Sequence, residues 1–260
     1  MSIGPFDVLV GPNGSGKSTF LDVIGILGDI LRVGPTKSAL GNLPEDEDRF
    51  PVAVWLKRLL LDGVQRIVLS SEAIRRPCPP GLPKALLPDG SNLPWIIHAL
   101  PDEVRAQWVN HLQTALPDIQ DITTIARSED NHRYFQLVYA NGLRAASWLV
   151  SGGTLRLMAL TVLAYMPATP TLYLVEEPEN GIHPSAMAAV CEALGNVGGG
   201  QVVCTTHSPA FVRLTGKHRL LCFSRDKQLG TAVMRGSLHP NLTGSNGDYD
   251  LVQTFASGAV

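Results

Sequence analysis

Short, wholly apolar runs alternate along this chain with apolar residues spaced as on one face of a helix. Phe6–Val10 is apolar at four of five positions and stops at Gly11, as a buried parallel strand would. Residues 19–32 then place Phe20, Val23, Ile24, Leu27, Ile30 and Leu31 on a helical face. The pattern predicts a helix over 52–62 and a strand over 64–69. It predicts a helical region over 93–116, interrupted by Pro94 and Pro101. Ile119–Ala126 and 134–139 alternate as strands, with a turn at 140–142. A helix is expected over 154–166. The β-branched runs at 171–175 and Gln201–Thr205 read as central parallel strands, with a helix over 185–194 between them. Residues 220–224 and 231–235 form an expected hairpin. Polar, turn-rich stretches at 34–50 and 77–94 read as connections, and no repeats are present.

Helices interleaved with apolar strands predict an α/β fold with a mainly parallel sheet flanked by helices. The expected organisation is a core split between 1–33 and 145–235, an inserted, mostly helical lobe over 34–144, and a tail over 236–260.

Composition narrows this picture little. The 260 residues are 45% hydrophobic, enough for a substantial core. Charged residues make up 17% and the net charge is −2, so net charge gives no support to DNA binding. Cys78, Cys191, Cys204 and Cys222 lack C-x-x-C spacing and read as buried thiols in a reducing compartment. The N-terminus has no basic segment followed by a long apolar one, and the apolar stretch 155–166 contains Arg156 and is too short to cross a bilayer. A cytoplasmic protein with no membrane partner is expected.

The chemistry is concentrated in four motifs. The first is "GPNGSGKS", Gly11 to Ser18, which satisfies G-x-x-x-x-G-K-[ST] between a strand and a helix. Its glycines let backbone N–H groups wrap phosphates at a helix N-terminus, Lys17 reaches the β- and γ-phosphates, and Ser18 binds Mg²⁺. Asn13, Gly14, Ser15, Gly16 and Thr19 complete the nucleotide-binding set. The second is "LVEEPENGIHP", an apolar strand ending in Glu176 and Glu177. One acid there supports Mg²⁺ and its waters, and the other orients or deprotonates the attacking water. The third is "TTHSP", whose His207 ends a strand expected beside the Glu176 strand. A histidine there serves a γ-phosphate, the catalytic water or the fold. The fourth, "SGGT", reads locally either as an ordinary N-cap at Ser151 or as that cap with the Gly152 and Gly153 N–H groups open to an anion at the helix start.

Together these stretches resemble the ABC-type ATPases, and among them the SMC/RecF/OLD-like branch often labelled AAA ATPase. Ser151 precedes Glu176 by 25 positions and His207 follows Glu177 by 30, in the family's compact order. The resemblance implies a P-loop NTPase fold that binds ATP and Mg²⁺ and hydrolyses ATP. It implies that Glu176 is the Walker B acid, Glu177 the catalytic residue, and His207 the switch histidine. It further implies that Ser151, Gly152, Gly153 and Thr154 act in trans on the ATP of a second copy, so that the chain works as a homodimer. Asn180, Gly181 and Ile182 would form the loop crossing that interface. A separate effector protein, a nuclease being one kind, is implied as partner, in DNA repair or anti-phage defence.

Two departures from the family are visible. The strand feeding the P-loop begins near residue 6, without the antiparallel strands and aromatic residue that usually hold adenine. The glutamine loop has only Gln65 as a candidate. Arg75 and Arg76 read either as phosphate or partner contacts or as a solvated basic turn. The 53 residues after His207 are too few for a fused nuclease, and Asp248 and Asp250 read as a tail turn. A transporter subunit is disfavoured, because "SGGTLR" and "EEPENGIHP" replace its usual motifs. The remaining alternative is a nucleotide-binding scaffold or sensor with little hydrolysis.

Overall fold

Apolar strands that alternate sides without a polar face must be covered on both faces, and this decides the architecture. The computed structural model describes residues 3–33, 48–169, 171–226 and 230–242. Strand β1 (Phe6–Val10) leads through a loop into helix α1 (Lys17–Val33); α2 (Pro51–Asp62) and β2 (Val64–Ile67) follow. Next come α3 (Ser71–Arg75), α4 (Leu93–Ala99), α5 (Asp102–Gln113), β3 (Ile119–Ala126), β4 (Arg133–Tyr139) and β5 (Arg144–Ala146). The chain continues through α6 (Gly152–Thr161), β6 (Leu172–Glu176), α7 (Met187–Gly195), β7 (Gln201–Thr205), α8 (Pro209–Thr215), β8 (Leu220–Asp226) and β9 (Gly230–Arg235).

Six strands form one sheet in the order β2-β6-β7-β1-β8-β9. All neighbours are parallel except the last pair, where β9 runs antiparallel to β8. Period-two alternation sorts the side chains to two cores. Val8, Tyr173, Val175, Val202, Cys204, Leu220 and Cys222 enter the larger one, shared with α6 and α7. Leu9, Leu174, Val203, Leu221 and Phe223 enter the smaller one, with Leu21 of α1 and Leu60 of α2. Each buried aliphatic or aromatic side chain contributes roughly 1.5–3 kcal/mol.

Two placements differ from the sequence expectation, and a third, the expected hairpin, gains a parallel neighbour. Strand β2, expected inside the 34–144 lobe, pairs with β6 at the edge of the central sheet. The rest of that lobe combines α3, α4 and α5 with an antiparallel β3-β4-β5 sheet, whose third strand the alternation pattern is too short to show. The 220–224 hairpin strand also extends the central sheet, through parallel pairing of Val8 with Leu220. The connection over 34–47, the tail beyond 242 and Asp248 and Asp250 lie outside the described residues.

Candidate active site

Parallel strands end along the same edge of a sheet, and ligands in open α/β sheets bind outside those carboxyl ends. β6, β7 and β1 are neighbours in that order. Their ends therefore bring together Glu176 and Glu177, Thr206 and His207, and the Gly11–Gly16 loop.

The loop is built to hold anions. Gly11 has φ 142°, and a Cβ there would lie 2.0 Å from the Phe223 carbonyl oxygen, so only glycine fits against β8. Gly14 and Gly16 also have positive φ, at 74° and 99°. Ser15 N–H donates to the Pro12 carbonyl at 3.2 Å, which closes the turn, and α1 then starts at Lys17. Its positive end faces the loop. Thr231 of β9 braces the loop from the side, its hydroxyl donating to the Ser15 carbonyl at 3.1 Å. Among the described residues, the buried Ser15 hydroxyl has no partner.

Lys17 is buried, and its Nζ donates to the Gly11 and Pro12 carbonyls at 2.8 and 3.0 Å. Burial holds its pKa below the usual lysine value, and the Glu177 charge acts against that shift. The residue is thus a desolvated cation held within its own loop. Ser18 and Thr19 are exposed at the start of the helix, while Asn13 is exposed at the loop tip.

Glu176 points to the α1 side of the sheet, because it lies two residues beyond Leu174. There it meets Arg66, whose Nη2 donates to Glu176 Oε1 at 2.6 Å and whose Nη1 donates to Asp22 Oδ1 at 2.8 Å. Asp22 stands one turn after Ser18 on α1. Gln65, one residue away on β2, faces the other side and donates to the Leu86 carbonyl. It therefore does not reach the phosphate loop, which corrects the expectation for a glutamine-loop residue.

Glu177 follows the strand with φ 46°, and its N–H donates to the Thr205 carbonyl at 3.0 Å. The next turn carries Glu179, whose Oε1 accepts from the Thr206 hydroxyl at 2.5 Å and from the His207 N–H at 3.3 Å. The turn after β6 is thereby tied to the loop after β7. The His207 side chain is exposed.

Ser151 caps α6, its Oγ accepting from the Thr154 N–H at 3.2 Å. Gly153 packs so closely on the 180–182 turn that a Cβ would lie 2.6 Å from the Gly181 carbonyl oxygen. A cleft of about 470 Å³ is lined there by Ser151, Gly153, Thr154, Gly181 and His183. Asn180 and Gly181 are exposed, whereas the Ile182 side chain is buried in the larger core. Arg75 donates to the Val150 carbonyl at 3.1 Å and so holds the segment that enters the cap; Arg76 pairs with Glu72.

Mg²⁺ prefers oxygen donors and keeps waters and phosphates among its ligands. Among the described residues no cluster of three or more His, Cys, Asp or Glu could cage a metal. The Ser18 hydroxyl and Glu176 carboxylate are donors of the right chemistry, and Glu176 already holds a cation, Arg66. The residues fit a Mg²⁺ that arrives with its nucleotide. Also among the described residues, no helix is long and apolar enough to cross a membrane.

No motif assigned a role to Arg66, Asp22, Glu179 or Thr231, although Glu179 lies inside "LVEEPENGIHP". Their partners are 110, 44, 27 and 216 residues away in the chain, so only the folded register reveals them.

A protein-family model described as "AAA domain, putative AbiEii toxin, Type IV TA system" matches residues 7–70 and 61–213. No curated protein matches the chain. Among solved structures, an SMC head described as bound to the C-winged helix domain of ScpA is 14% identical. It superposes with TM-score 0.59, over 90% of this chain and 91% of that one. An SMC head domain from Thermotoga maritima is 15% identical with TM-score 0.36, covering 54% of this chain and 49% of that one. A Pyrococcus yayanosii SMC head with coiled coil and joint is 15% identical, TM-score 0.39, over 61% of this chain and 29% of that one. The chain thus spans half or less of the latter two.

Proposed function

The chain belongs to the AAA domain family whose model matches it, with the mostly parallel, helix-flanked sheet of an ABC-type SMC head, and from this premise we propose that it hydrolyses ATP between two copies of itself. One observation carries the reading. The adjacent ends of β1, β6 and β7 bring the phosphate loop, the two acids and His207 to one edge.

In this reading the loop N–H groups and the α1 terminus bind the β- and γ-phosphates. Lys17 leaves the Gly11 and Pro12 carbonyls for those phosphates, and its burial strengthens the attraction. Ser18 and Glu176 would hold Mg²⁺, which would supply positive charge against the phosphate oxygens. Glu177 orients the attacking water and accepts its proton, and His207 contacts the γ-phosphate from the loop that Glu179 fixes.

Ser151, Gly152, Gly153 and Thr154 stand at the start of α6, and Ser151, Gly153 and Thr154 line one cleft with Gly181, beside the exposed Asn180. This supports their action on the ATP of a second copy, with hydrolysis opening the dimer. A separate effector protein would read that opening; the related SMC head is itself bound to a part of another protein, ScpA. The motif resemblance supports work in DNA repair or anti-phage defence. The second reading is a sensor with little hydrolysis, favoured by the Arg66–Glu176 pair, which engages the metal acid.

Steady-state ATP hydrolysis and light scattering test the proposal. Glu177→Gln is expected to abolish turnover, retain ATP and become dimeric. Wild-type protein as inactive as E177Q would leave the sensor. An E177Q protein that stays monomeric with ATP would overturn the sandwich.

A further inference from the structure

We propose that Arg66 is the internal counter-ion of Glu176 and sets how tightly the site takes a divalent cation. This deepens the reading above, since it rests on Glu176 being the metal acid.

The argument begins with strand parity. Val64 and Arg66 share one face of β2, so the guanidinium is delivered to the α1 side, where Glu176 and Asp22 also lie. One nitrogen serves each carboxylate, at 2.6 and 2.8 Å. Arg66 makes two ion pairs rather than one, and they differ in what competes for them. Glu176 sits at the strand end beside the phosphate loop. Asp22 lies one turn further along α1 than Ser18, away from the loop.

A divalent cation on Glu176 therefore displaces one pair and leaves the other. Arg66 keeps Asp22 as an anchor, and its freed end faces the cleft of about 350 Å³ lined by Arg66, Leu69, Arg156, Glu176 and Glu177. All three side chains are about two-fifths exposed, so water screens the pairs and exchange is cheap. Lys17, the other nearby cation, is turned instead to the loop carbonyls.

The consequence separates cation from nucleotide. Arg66 competes with the metal for one carboxylate, and its side-chain bonds go to Asp22 and Glu176 rather than to the phosphate loop. Removing it strengthens divalent binding and leaves metal-free nucleotide binding as it was.

Manganese serves as the probe, its free concentration followed by electron paramagnetic resonance with a fixed, non-hydrolysable ATP analogue on the full chain. Nucleotide affinity is measured separately in EDTA. Arg66→Gln is expected to bind Mn²⁺ roughly two- to fivefold more tightly, the range that an exposed pair allows. Its nucleotide affinity in EDTA is expected to match wild type. Arg66→Lys, which keeps the charge and guards against misfolding of R66Q, is expected between the two. In a Glu176→Gln background, R66Q is expected to change nothing, because the competitor's target is gone. Unchanged or weaker Mn²⁺ binding by R66Q overturns the proposal. An E176Q protein that binds Mn²⁺ like wild type overturns the metal role of Glu176 itself, a distinct failure.

Discussion

Replacing Glu179 by alanine tests whether one carboxylate fixes the loop that carries His207. The substitution removes an acceptor from the Thr206 hydroxyl at 2.5 Å and from the His207 N–H at 3.3 Å. Thr206 is fully buried, so water cannot replace the lost partner on its hydroxyl proton. The hydroxyl oxygen still accepts from Ser208 N–H at 3.0 Å, so only the donor side is orphaned. The 3.3 Å bond is long and contributes little; the 2.5 Å bond, to a charged acceptor, carries most of the effect. Such a bond contributes about 1.5–3 kcal/mol. With a urea dependence of about 2 kcal/mol per molar, the unfolding midpoint should fall by roughly 1 M. Glu179→Gln keeps an oxygen at the same place and should lose less than half as much. ATP turnover should fall in E179A more than apparent substrate affinity does, because the phosphate loop is untouched. A midpoint shift below about 0.2 M in E179A would refute the account. So would an E179Q protein as unstable as E179A, since the acceptor would then be irrelevant.

Gly153→Ala places a methyl 2.6 Å from the Gly181 backbone oxygen and should cost about 1–3 kcal/mol. Gly152→Ala meets side chains rather than backbone, first the Ser71 hydroxyl at 3.3 Å, and should be milder; equal melting temperatures for the two would contradict the packing argument. Burial raises the thiols, Cys222 from 9.0 to about 12 and Cys78 to about 11, the latter helped by the Asp89 charge. Unfolded thiols therefore lose protons first, and stability present below pH 9 is lost as pH rises from 9 towards 11–12. Melting temperature should fall across that window. At pH 8, native protein should leave all four thiols unreacted with Ellman's reagent, and a fast-reacting thiol would show the burial to be wrong.

The parts of the site legible in the sequence are those whose chemistry is contiguous. A phosphate loop needs its glycines, lysine and serine in one stretch because a single turn makes the cradle, and the same holds for Glu176 and Glu177 at a strand end. The inner strands β6 and β7 were legible because a doubly covered strand is largely apolar. Partnerships across strands were not. Gln65 and Arg66 are adjacent in sequence and polar alike, yet the pleat sends them to opposite sides of the sheet. Nothing in residues 64–67 states which side faces α1 until β2 is paired with β6. Thr231 and Arg75 are likewise ordinary residues in sequence; one braces Ser15 and the other Val150 only because the fold brings β9 and α3 there.

The backbone at Glu177 has a further meaning. It and Asn131 are the non-glycine residues with positive φ among those described. Asparagine takes that conformation readily, whereas for glutamate it costs about 1–2 kcal/mol. Glycine at 177 would relax the turn and remove the carboxylate. The position therefore separates two demands that usually coincide: the main chain there favours the smallest residue, and the side chain is one that glycine cannot supply. Variants at 177 should order oppositely on the two scales, with glycine melting later than glutamate while hydrolysing nothing. Such an inverse ranking would mark a site where local strain and chemistry are held by the same residue.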